Sequence, residues 1–224
     1  MIKFILPIIA VIFGVLLATI TKNKKSWNTK LLLSFSGAFL LALTLFELLP
    51  EVYHHLNSKR TGLFIMGGIL LQIVLELFSK GAEHGHVHIH KEDTDFPWLL
   101  FVSLCIHSFL EGFPIHEHND MIYGVLIHKI PIATLISMFL FQSSFSRSKI
   151  VAFLVIFACM TPLGTFISNT ADFSEHFAHS INAVVIGIFF HISTTILFES
   201  GEGHKFNLSK FIAIILGVGI AYVI

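Results

Sequence analysis

Phe101–Ala133 reads FVSLCIHSFLEGFPIHEHNDMIYGVLIHKIPIA, and its reading decides the fold. Two apolar stretches, joined by a short polar turn, each carry ionisable residues at about the depth of a bilayer centre. The first holds His107 and Glu111; the second holds His128 and Lys129, with Pro131 just behind. In a helix, positions i and i+4 lie one above the other, so His107 and Glu111 point together at whatever that helix packs against. A charge in a membrane span costs a few kcal/mol and usually faces a partner or a water-filled path.

Working outward, composition agrees. Of 224 residues, 54% are hydrophobic and 12% charged, against about 25% charged in a soluble domain. Phe is abundant, at 24 residues, which suits lipid-facing surface. Formal net charge is zero, so no global field argues for nucleic acid. Cys105 and Cys159 lie in apolar runs without CxxC spacing and read as small buried thiols. The opening MIKFILPIIAVIFGVLLATI lacks a small-x-small cleavage site and is followed by another span, so it reads as a retained first helix. Eight apolar stretches run about 4–21, 31–53, 62–79, 97–115, 121–142, 149–168, 177–199 and 207–224, each near the ~20 residues of a spanning helix. The connections are short, so the expected architecture is all-α: one polytopic transmembrane bundle over 1–224.

Orientation follows from Lys and Arg. With the N-terminus outside, ten of the fourteen fall in cytoplasmic loops, from Lys22 to Lys210, and only Lys3, Lys59 and Arg60 fall outside. Both termini are therefore expected outside, in a bacterial inner membrane by the chain's compact form, although a eukaryotic membrane fits as well. The 14 histidines then sort into three groups. His54, His55, His116, His118, His176 and His179 lie outside, beside Glu51, Glu117, Asp120, Asp172 and Glu175; such a mouth concentrates divalent cations. His107, His128 and His191 lie within spans. Inside, the loop at about 80–96 alternates His84, His86, His88 and His90, a metal-collecting or sensing pattern.

Helical rise sets depth. From the outer end of its span, His107 lies roughly 12 Å in, His128 and Thr161 roughly 10 Å, Glu47 roughly 9 Å and Glu111 roughly 6 Å. These five are expected to meet at one level. His191, roughly 21 Å down, is expected on an exit path. Gly112 with Pro114, and Pro131, are helix breakers near the same level, where broken helices line transporter cavities.

These residues resemble the ZIP (ZRT/IRT-like) family of divalent-metal transporters. The family's His-Asn-x-x-Asp/Glu-Gly corresponds to His107-Ser108-Phe109-Leu110-Glu111-Gly112, and its His-Glu-x-Pro-Glu/His to His128-Lys129-Ile130-Pro131-Ile132. ELLPE (Glu47–Glu51) is similar to its HLLPE, and CMTPLG (Cys159–Gly164) to its sixth-span segment. The resemblance implies two metals: one on His107, Glu111 and His128, the other on the positions of Ser108, Lys129, Ile132 and Thr161. Three of those four are neutral here and one is a cation, so the second site is expected to be lost. Lys129 would then either pair with Glu111, supplying fixed positive charge in the second metal's place, or snorkel to the outer interface.

The expected cargo is a divalent cation, zinc first, bound as transported substrate and moving into the cytoplasm; iron, manganese and cadmium also suit an N/O donor set. An intramembrane zinc hydrolase with Glu111 as general base is the alternative, though HExxH is absent; a metal sensor without flux is a third reading. Expected partners are the metal ion and the lipid bilayer, with no nucleic acid. Gly67, Gly68, Gly217 and Gly219 could pack helices inside a protomer or between two in a homodimer.

Overall fold

The structure, a computed structural model, describes residues 1–21, 29–79, 81, 96–116, 120–199 and 208–224. Among the described residues it forms eight helices: α1 (Ile2–Thr21), α2 (Thr29–His55), α3 (Ser58–Ser79), α4 (Trp98–Leu110), α5 (Met121–Gln142), α6 (Arg147–Thr170), α7 (Glu175–Glu199) and α8 (Leu208–Val223). Six are long and apolar enough to cross a membrane; α4 and α8 are shorter apolar helices. They match the eight expected spans, with one difference. The fourth was expected to run to residue 115, but α4 stops at Leu110 and Glu111–Pro114 form a turn. Gly112 and Phe113 donate to Phe109 and Leu110 three residues back, a tightened last turn that Pro114 cannot extend as a helix.

Pro131 does not break α5, which continues from Met121 to Gln142. Instead α1 presses on it there: a Cβ on Gly14 would meet the Ile130 carbonyl and the Ala133 Cβ, so only glycine permits this approach. The irregularity lies in α2, where Thr44–Leu48 form a π turn and the Leu49 N–H bonds to the Thr44 carbonyl. Pro50 follows directly; it has no N–H for the Phe46 carbonyl and would crowd it in a regular helix, which the wider turn relieves. Gly81, with φ of 70°, ends α3 in the left-handed region, its N–H on the Glu76 carbonyl.

Helices α1, α4, α5 and α6 pack on one another, as do α2, α3, α7 and α8; α2 against α5 and α3 against α4 join the two groups. Phe39, Leu40, Ile132, Phe157 and Phe189 lie in the shared core. Large apolar residues stand exposed along α1, α3 and α8, such as Ile9, Leu63, Leu70 and Ile215, where lipid would cover them. Two of the four candidate packing glycines act inside the protomer: Gly68 against Val184 and Gly187 of α7, and Gly217 against Phe35 of α2. Gly67 and Gly219 meet nothing within 4 Å.

Candidate functional site

The end of α4 carries the centre. Gly112 and Gly164 face each other where α4 meets α6: a Cβ on Gly112 would strike the Thr161 carbonyl, and one on Gly164 the Phe109 carbonyl. This contact sets Thr161 beside Glu111, its Oγ1 2.6 Å from Glu111 Oε1 and 3.0 Å from the Ser108 carbonyl. From α5, the Lys129 ammonium reaches the same Oε1 and donates to Ser108 Oγ at 2.6 Å. It also stands 4.6 Å from the centre of the Phe157 ring. The snorkelling alternative is thereby overturned: Lys129 is 2% exposed and turned inward, because the Glu111 charge is its nearest partner.

The other carboxylate oxygen faces the imidazoles. His107 Nε2 is 3.5 Å from Glu111 Oε2, as the i, i+4 spacing predicts, and the His128 ring lies 6.2 Å from the His107 ring, nearly perpendicular to it. His107, Glu111 and His128 are 2%, 1% and 1% exposed. Two imidazoles on one tetrahedral zinc would have ring centres about 5 Å apart, given Zn–N near 2.0–2.1 Å. The pair is about an ångström too open. Accordingly, no three His, Cys, Asp or Glu side chains among the described residues are already posed around one ion.

Glu47 does not join this level. Its Oε2 accepts from the backbone N–H of Asp120 at 3.0 Å, at the start of α5, about 12 Å of helical rise from His128. Counting residues along a regular helix puts it level with His128; it lies instead within the π turn Thr44–Leu48, with its carboxylate on the start of α5. Glu47 therefore stands at the mouth, tying α2 to the α4–α5 connection. Thr161 does join, through Glu111. His191 sits apart, as its depth predicts, with Nε2 2.5 Å from Oε2 of Glu76 on α3. Glu76 was missed, although an acid within LLQIVLELF carries the same signal as Glu111. His84, His86, His88 and His90 lie outside the described residues.

Several mouth histidines gather at the end bearing Glu47. His55 stacks on His179 at 4.1 Å, and His179 Nδ1 is 3.8 Å from Glu51 Oε1. His116, in the α4–α5 connection, is held below the ordinary histidine pKa, first by burial; Glu51 opposes this, while Lys3 and His179 reinforce it. A depressed histidine binds its proton less readily folded than unfolded, so its contribution to stability is full above the unfolded pKa, near 6.5, and is lost as pH falls through the folded value. Thermal unfolding from pH 7.5 to 5 is expected to show this acid-side loss, and His116→Gln to flatten it; identical profiles would exclude His116 as the source.

A family model described as ZIP zinc transporter matches residues 79–224. The chain belongs to this family. Zinc transporter ZIP1 of Danio rerio is 30% identical over 136 residues, covering 58% of this chain and 45% of that protein. The chain thus spans about half the length of this curated relative. The match takes in α4–α8 and every residue of the buried centre, while α1, α2 and Glu47 lie outside it. Within the matched residues, Lys129 lies on Glu111 together with Ser108 and Thr161.

Proposed function

We propose that this ZIP-family protein carries a divalent cation, zinc first, across the membrane into the cytoplasm through His107, Glu111 and His128. The observation that carries this reading is a buried carboxylate, one oxygen already taken, with the His107 imidazole 3.5 Å from the other and the buried His128 ring 6.2 Å from that of His107. Glu111 Oε1 belongs to Lys129, Thr161 and Ser108; Oε2 faces His107 and, beyond it, His128. An arriving ion would draw the two rings together by about an ångström and take Oε2, with water as fourth ligand. Three protein ligands and an exchangeable water suit transport, since a closed four-ligand site releases metal slowly. Lys129 stands in for a second ion, so one metal is carried at a time.

The ion would approach past Glu51 and Glu47 and leave past His191 and Glu76 towards the histidine loop at 84–90. Basic loops support placing both termini outside; iron, manganese and cadmium remain within the chemistry of the donor set. Gly67 and Gly219, open on the surface, are where a homodimer would pack. The family is one of transporters, and the hydrolase alternative gains no support from it.

The test is radiometal flux into liposomes across a metal series. His107→Ala is expected to abolish saturable zinc uptake; unchanged uptake by that variant, folded and inserted like the parent, would refute the assignment.

A further inference from the structure

At the end of the bundle opposite the mouth histidines, a half-open cavity of about 570 Å³ lies between the first turns of α4 and α6. Its walls are aromatic and aliphatic: Phe96, Trp98 and Phe101 on one side, Phe153 and Ile156 on the other, with Lys149 as its charged member. The rings brace one another, Phe96 against Trp98 at 4.7 Å and Phe101 against Phe153 at 4.9 Å, so the apolar wall is a packed surface. Lys149 and Ile156 are seven residues apart on α6, about 10 Å along the helix axis. The cavity therefore runs from a cation at one level to hydrocarbon about 10 Å deeper.

This is the polarity of a lipid. Trp98, 66% exposed at the start of α4, marks the interface where tryptophan is enriched. Arg147 adds a second cation two residues before Lys149, and among the described residues neither has an acidic partner. The first-turn N–H groups of α6 point the same way and favour a phosphate, without being needed to define the site. A soluble phosphate would leave the apolar wall bare, and a neutral lipid would leave the cations unanswered.

We propose that this cavity is a binding site for an anionic phospholipid of the leaflet facing the basic loops, its phosphate on Lys149 and an acyl chain along Phe101, Phe153 and Ile156. The inference stands apart from the metal centre and does not depend on transport.

The chain has two tryptophans, Trp27 and Trp98, so Trp27→Phe leaves Trp98 as the sole reporter. In that background, reconstituted in phosphatidylcholine, brominated phosphatidylglycerol is expected to quench Trp98 with an apparent affinity about fivefold above that of brominated phosphatidylcholine. Lys149→Gln should bring the ratio close to one while leaving quenching by phosphatidylcholine intact; Lys149→Arg, which shares any folding burden, should keep the preference. Equal quenching by both lipids in the parent, or a preference that survives Lys149→Gln, would overturn the site. So would absence of quenching by either lipid, which is the result if a protein segment, such as the acidic stretch before Phe96, fills the cavity.

Discussion

Lys129→Met lowers the stability of the folded protein by about 3–5 kcal/mol, because it takes the ammonium partner from the Glu111 carboxylate in the bundle core. Glu111 is 1% exposed, and the ammonium of Lys129 is its charge partner on the Oε1 side. Thr161 and Ser108 can still donate hydrogen bonds to that oxygen, but hydroxyls carry no net charge to offset the burial. Combining Lys129→Met with Glu111→Gln is expected to recover most of the loss, since an amide keeps the hydroxyl contacts and no buried ion remains. Thermal unfolding in one detergent, for the two single variants and the pair, measures the coupling. Zinc at a hundredfold excess over the dissociation constant should then stabilise Lys129→Met by about 2.7 kcal/mol, more than it stabilises the parent, as a cation takes the ammonium's place. A single variant as stable as the parent would show that the pair does not hold the centre together.

What was legible in the sequence follows from periodicity. Apolar runs of spanning length gave the eight helices, and the His107-x3-Glu111 spacing gave one shared face. What needed the structure was direction around each helix and the position of its neighbours. Lys129 could pair or snorkel until α4 was seen to bring Glu111 against α5. Glu47 was expected at the level of His128 on the premise of a regular helix, but a π turn lies before Pro50 and its carboxylate accepts from Asp120 at the mouth instead. Pro131 was expected to open α5, yet the helix runs on with α1 packed over it at Gly14. Phe157, which faces Lys129, had no signal among 24 phenylalanines.

Gly164→Ala tests the contact on which the centre is built, and its expected cost is about 1–3 kcal/mol, as for overpacking a tight interior. The added methyl would meet the Phe109 carbonyl, which is backbone and cannot swing aside as a side chain can. Relief comes only by moving the end of α4 away from α6. That movement draws Glu111 from Thr161, now 2.6 Å away, and with it turns the Oε2 face relative to His107 and His128. Stability and saturable metal uptake should therefore fall together. Gly62→Ala on α3 is the matched control: nothing lies within 4 Å of its Cβ position, and alanine favours helix, so its effect should stay within about 0.5 kcal/mol or be stabilising. If Gly164→Ala proved no more harmful than Gly62→Ala in denaturation and flux, the helices would not be in the close register from which the arrangement of Glu111, Thr161 and Lys129 follows.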